Sequence, residues 1–214
     1  MIGFLFASLL LPMLSRMLQD REDVNQLVAL GFKFIFAGSV ALAASIFFFQ
    51  EEIMTLLYDE ATPYWGNILG WLMFSFIPVA GTYIYGTLML ANGDLSALNK
   101  IFAASIIFNI CLNLWLIPNY QAEGAAIATL ITQFIVFFAE ILLACHKKLL
   151  NINLLLVLKS TVYFVGSLGI GYWIYSFGFS QWIPAFLGSF VGCLLLSLFL
   201  GFLDFRQLLS KVEK

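Results

Sequence analysis

Charge is what this sequence has least of. Only 10% of its 214 residues are Asp, Glu, Lys or Arg, against about 25% in soluble domains, which excludes a chain solvated on all sides. Histidine occurs once, as His146. The cysteines Cys111, Cys145 and Cys193 are odd in number and make no metal-ligand spacing; they are read as free, buried thiols, and no cofactor or metal is expected. There is no nucleotide or phosphate loop, and no nucleic acid is expected as a partner. The alternation of apolar and polar residues that marks a membrane-spanning strand is missing too.

What is present is hydrocarbon. Apolar residues make up 62% of the chain and gather in runs of about 18 residues or more, the length a helix needs to cross a bilayer. Six such runs are placed at Val28 to Phe49, Ile68 to Leu90, Ile101 to Ile117, Ala122 to Ala144, Leu154 to Phe177 and Trp182 to Leu203. Before them stands "MIGFLFASLLLPMLSRM", short for a span and broken by Pro12. Its first positive charge, Arg16, follows the apolar run, whereas a signal peptide carries its charge in front. The segment therefore reads as a helix missing its first turns, with Met1 an internal start or a cut in a longer protein. The fold class expected is an all-α integral membrane protein, a polytopic helical bundle of six full transmembrane helices plus a truncated N-terminal one.

The ten basic residues then fall on alternate connections. Arg16, Arg21 and Lys33 flank the first, Lys100 lies in the third, Lys147, Lys148 and Lys159 surround the fifth, and Arg206, Lys211 and Lys214 follow the last span. The segments "QEEIMTLLYDEATPYW", "PNYQAE" and "SFGFSQ" hold none. Excess Lys and Arg mark cytoplasmic loops, so this pattern predicts a cytoplasmic C-terminus and supports the span list independently of hydropathy. Two amphipathic pieces are expected as interfacial helices: the acidic-rimmed stretch with Ile53, Leu56 and Leu57, and the tail with Phe205, Leu208, Leu209 and Val212.

Polar groups inside the spans are the candidate functional residues, because a buried polar side chain faces a partner helix or a water-filled path. Asn109 and Asn113 share one helix face, as do Thr129 and Gln133 on the next span. An antiparallel hairpin, with Pro118 stopping its first arm and Gly124 and Ala128 forming a close-packing seam on its second, would set Asn113 and Thr129 at similar depth. Structural glue and pathway lining both remain open for them. Glu140 lies about two turns before Lys147, roughly 10 Å below the membrane surface; it is either a coupling-ion site or a group bonded within the bundle. Lys33 can snorkel to the surface and is a candidate for meeting an anionic substrate. Pro78 and Gly81 mark either a hinge or a packing irregularity in the second full span. The acidic residues Glu51, Glu52, Asp59 and Glu60 would be the only support for an integral membrane enzyme such as a lipid-linked glycosyltransferase or acyltransferase, and the reading preferred here is that the chain is not an enzyme.

Three segments carry a family resemblance: "LLLPMLSRMLQDRED", "YGTLMLANGDLSALNKI" and above all "NICLNLWLIPNYQAEGAAIATLI". They resemble the oligosaccharide-lipid flippases (Wzx type) of the multidrug/oligosaccharidyl-lipid/polysaccharide exporter superfamily, with the lipid II flippases a poorer match because "LMLANGDLSALNKI" lacks an aromatic and Thr-Pro sequence. The resemblance implies that residues 1–146 are a C-terminal lobe lacking its first helix. Residues 147–214 would add two helices and a cytoplasmic tail. It implies a bacterial cytoplasmic membrane protein that moves an undecaprenyl-pyrophosphate-linked oligosaccharide outward by alternating access, for O-antigen, capsule or exopolysaccharide. Its implied partners are membrane lipids, a missing N-terminal lobe and polysaccharide polymerase machinery. Arg16, then Lys33, would touch the substrate, with Asn109, Asn113 and Gln133 along the pathway and Glu140 at any coupling ion. A cation-coupled drug or metabolite antiporter of the same superfamily is the competing reading.

Overall fold

In the computed structural model, which describes residues 2–202, those residues form a bundle of seven helices. They are α1 (Ile2–Gln19), α2 (Asn25–Phe48), α3 (Gln50–Leu57), α4 (Pro63–Ala91), α5 (Leu95–His146), α6 (Leu154–Ser176) and α7 (Trp182–Phe199). All but α1 and the short α3 are long and apolar enough to cross a membrane. The amphipathic stretch before Tyr58 is α3, as its spacing predicts. The tail's predicted interfacial helix lies outside the described residues.

α5 is two spans. Its backbone is helical on both sides of Gln121, where φ 52° and ψ −129° reverse the chain. The two arms, 95–120 and 122–146, lie antiparallel, since Asn109 on one bonds Thr132 on the other. Pro118, expected to stop the first arm, sits within it instead. A proline removes one backbone donor and crowds the preceding turn, but here the helix runs on to the reversal at Gln121, and the Asn119 amide donates to the Trp115 carbonyl at 2.9 Å. Gly124 makes the reversal tight: a Cβ there would lie 2.5 Å from the Leu116 carbonyl oxygen.

The alternation of basic and non-basic connections becomes two physical ends. At the basic end, Lys147 pairs with Asp94 at 2.8 Å, the Asn151 backbone N–H donates to Asn25 Oδ1 at 2.9 Å, and the Lys159 ammonium donates to the Leu200 carbonyl at 3.0 Å. The last contact places a cation on exposed carbonyls at the C-terminus of α7, where the helix dipole favours it. α1, α4, α5 and α7 all finish at this end with a reversed turn of one kind. The residue past the cap has positive φ at Arg21, Gly93, Lys148 and Gly201, and paired bonds reach back into the last helical turn. At the other end, the Tyr64 hydroxyl donates to the Tyr120 carbonyl and accepts from the Glu123 N–H, while Trp71 donates to Glu123.

Asp94 belongs to the connecting turn, and its carboxyl is held below its ordinary range by hydrogen bonds from Lys147 and then Asn92. A depressed carboxyl contributes stability above its unfolded range and loses it as the pH falls through its folded value. Thermal midpoints of the detergent-solubilised protein should therefore drop on the acid side by more than those of Asp94→Asn. The difference should amount to no more than about 1 kcal/mol because the Lys147 side chain is 41% exposed.

α2 is the central post. Leu27, Val28, Phe32 and Ile35 meet α4 and the second arm of α5 in one buried cluster that also takes Leu10 and Leu14 of α1. Further along, Ala37, Val40 and Ala43 meet Tyr163 of α6 and Phe202. Helices in lipid associate by close packing of small residues and a few polar bonds. Here Ser45 bonds Ser189 of α7 at 3.2 Å, and Cys193 Sγ lies 3.6 Å from the Ser167 carbonyl oxygen. Of the thiols expected to be buried, Cys193 is; Cys145 is half-buried and Cys111 is exposed on the first arm of α5.

Candidate functional site

A cavity of about 1230 Å³ opens among α2, α4, the second arm of α5 and the start of α6. Its position follows from the basic-end turns. The α5–α6 connection, residues 147–153, is tied to the head of α2 through Asn151 and Asn25, which holds α6 off α5. Its inner wall is aromatic: Phe32 stacks on Phe137 at 6.2 Å, and Tyr85 meets both rings at 5.7 Å. Phe36, Phe134, Phe138 and Phe164 also contribute to the lining. Its rim is polar, with Asp23, Asn25, Gln26, Asn151, Asn153, Ser160 and Thr161. Lys33, about two turns into α2 from Asn25, brings a half-buried positive charge onto this wall. Neither the Arg16–Asp20 nor the Lys147–Asp94 ion pair includes it.

Of the sequence-predicted site residues, only Lys33 lines this cavity. Arg16 lies outside it, its side chain 87% exposed beside Asp20 at 3.8 Å. Asn109, Asn113 and Gln133 also lie outside the lining. Asn109 donates to Thr132 Oγ1 at 3.0 Å, and Asn113 donates to Asn109. The hairpin folds about residues 120 and 121, which brings Asn109 to Thr132, while Asn113 and Thr129, symmetric about the same reversal, each bond within their own arm instead of to one another. Thr129 bonds its own helix at Ala125. α4 is continuous through Pro78 and Gly81, and Gly81 is where the Phe137 ring lies against the helix backbone. Glu140 is fully buried between the second arm and α4. The rim asparagines carried no sequence signal, since two come from one loop and the third from the head of α2.

The family model for "Lipid II flippase MurJ" matches residues 1–192. The chain belongs to this flippase family. Family membership makes this MurJ-family chain a multi-pass membrane protein of a transporter family, not an enzyme family, and removes the glycosyltransferase and acyltransferase reading. Two relatives, each described as a lipid III flippase, one from Escherichia coli (strain K12) and one from Shigella flexneri, are each 26% identical over 134 residues. That alignment covers 63% of this chain but 32% of each relative, so the chain spans about a third of their length.

The lipid II flippases, ranked second from "LMLANGDLSALNKI", are thus the family whose model covers most of the chain. That loop is a weak discriminator for a physical reason. It uses a glycine at 93, which takes the positive φ of 78° most easily, and Asp94 to meet Lys147. Its neighbours Asn92, Leu95 and Ser96 are exposed and accept many residues.

Proposed function

We propose that the chain is a membrane-embedded portion of a flippase for a polyprenyl-pyrophosphate-linked saccharide, with its basic end at the cytoplasmic face of a bacterial inner membrane. Lys33 carries this reading. A single cation, about two turns inside an aromatic wall and well below the one carboxylate of the rim, Asp23, suits a substrate with an anionic diphosphate and an apolar tail. A charge held in such a partly dry place attracts an anion more strongly than a surface lysine does. Alternating access would bend α4 at Pro78, whose missing N–H leaves one backbone bond unmade, and at Gly81. Residues 1–146 would form the C-terminal lobe, and Arg16, on the exposed side of α1, would face the other lobe.

The family match favours lipid II as the substrate. The relatives described as lipid III flippases favour lipid III, and the three resembling segments favour an oligosaccharide-lipid for O-antigen, capsule or exopolysaccharide, delivered to polymerase machinery. Translocation of each labelled lipid by the protein in its native reading frame separates these. In the same assay Lys33→Ala should lower the rate about ten-fold, the scale of one charge-assisted contact, while Lys33→Arg retains it. Unchanged transport in a normally inserted Lys33→Ala protein would remove the proposal.

A further inference from the structure

Glu140 is the one buried charged-type side chain among the described residues, with 0% of its surface exposed. Neither carboxylate oxygen has a hydrogen-bond partner. It faces Gly86 of α4, where a Cβ would come to 3.3 Å from Glu140 Oε1, so the absent side chain is what seats the carboxyl. Thr82, one turn earlier on α4, brings the one hydroxyl that interacts with this carboxyl, without completing a well-formed hydrogen bond to it. The titratable groups on the surrounding elements are Tyr85 on α4, Lys33 on α2 and Cys145 on the same arm; all three line the neighbouring cavity, and none bonds or pairs with Glu140.

An ionised carboxylate sealed in a bundle with no paired cation and only one hydroxyl beside it is strongly unfavourable, and such a site is occupied by the neutral acid or is opened. From this geometry we propose that Glu140 is a proton-binding site whose occupancy holds α4 against the second arm of α5. The proton is bound while the helices are packed as described. It is released to water when they part, and the resulting carboxylate favours the parted arrangement. The way out is short: Phe137 and Ile141 beside Glu140, and Tyr85 beside Gly86, all line the cavity. The site thus supplies a proton-dependent conformational step to the flippase reading above, on which its use in transport rests, but the protonation itself can be measured without any substrate.

The test uses the full protein in lipid vesicles without substrate. Infrared difference spectra across a pH titration should show a protonated-carboxyl stretch that is lost in Glu140→Gln. Alkylation of Cys145, resolved by peptide mapping, should rise several-fold more steeply with pH in the unaltered protein than in Glu140→Gln, which cancels the thiol's own titration. No carboxyl band assignable to Glu140, or equal Cys145 profiles in the two proteins, would overturn the proposal. So would a Glu140→Gln protein that fails to fold, because a neutral isostere must fit the site. Loss of transport with both signatures intact would count against the flippase reading alone.

Discussion

Gly124→Val is expected to abolish accumulation of the folded protein, with Gly124→Ala intermediate and Ala125→Val, on the adjoining face, much milder. The reason is local. A Cβ at 124 would stand 2.5 Å from the Leu116 carbonyl oxygen and 2.7 Å from its carbon, and both are backbone atoms of a helix that cannot yield as a side chain tip can. Overpacking a side chain in a core costs about 1–3 kcal/mol; displacing a helix backbone costs at least the upper end of that range. Opening the hairpin would also break the Asn109–Thr132 bond, worth roughly 1 kcal/mol in a membrane. Fluorescence-detected size exclusion after mild solubilisation reads the result. A monodisperse valine variant with an unshifted thermal midpoint would show that the arms are held together some other way.

Tyr163→Ala should have the next largest effect, and of a different kind. Tyr163 is fully buried, stacks on Phe202 with centroids 5.4 Å apart, and donates its hydroxyl to the Ala37 carbonyl at 2.8 Å. It therefore fixes both α6 and the chain after α7 to the central post. Truncating a large buried aromatic costs about 3–5 kcal/mol where a cavity stays unfilled. Because neighbouring lipid or helices can partly close the gap, we expect the low end, near 3 kcal/mol. The α6–α7 pair should become sensitive to protease at residues 147–153 while the rest of the bundle survives. Tyr163→Phe keeps the ring and loses one bond, so its midpoint should move by a third as much or less; equal effects would mean that the hydroxyl, not the ring, is the fastening.

What could be read in the sequence was whatever depends on one helix at a time. Apolar length placed the spans, alternating lysines and arginines assigned their ends, and Gly124 with Ala128 marked a close-packed seam. Contacts between distant helices could not be read this way. Tyr163 and Ala37 are 126 residues apart, and nothing in "STVYFVGS" distinguishes a tyrosine aimed at a backbone carbonyl from one at a lipid interface. Lys159 looked like a topology signal and is also the cap of α7. The cavity shows the same limit: Lys33 was legible because a charge in an apolar run is conspicuous, whereas its aromatic wall is drawn from the commonest residues of the chain. Pro118 misled because the start of the reversal lay in the backbone of Gln121, a residue with no turn preference strong enough to announce it.

The one-residue reversal at Gln121 also bears on how such a chain enters a bilayer during synthesis. The connection between the arms of α5 has no folded loop to carry across. The groups that must traverse the hydrocarbon are the side chains of Asn119, Tyr120, Gln121 and Glu123, of which Glu123 alone carries charge. Two apolar arms joined so closely can insert together as one wedge, satisfying each other's asparagine and threonine before the later helices emerge. Lengthening that turn would then burden biogenesis before it altered anything in the finished fold.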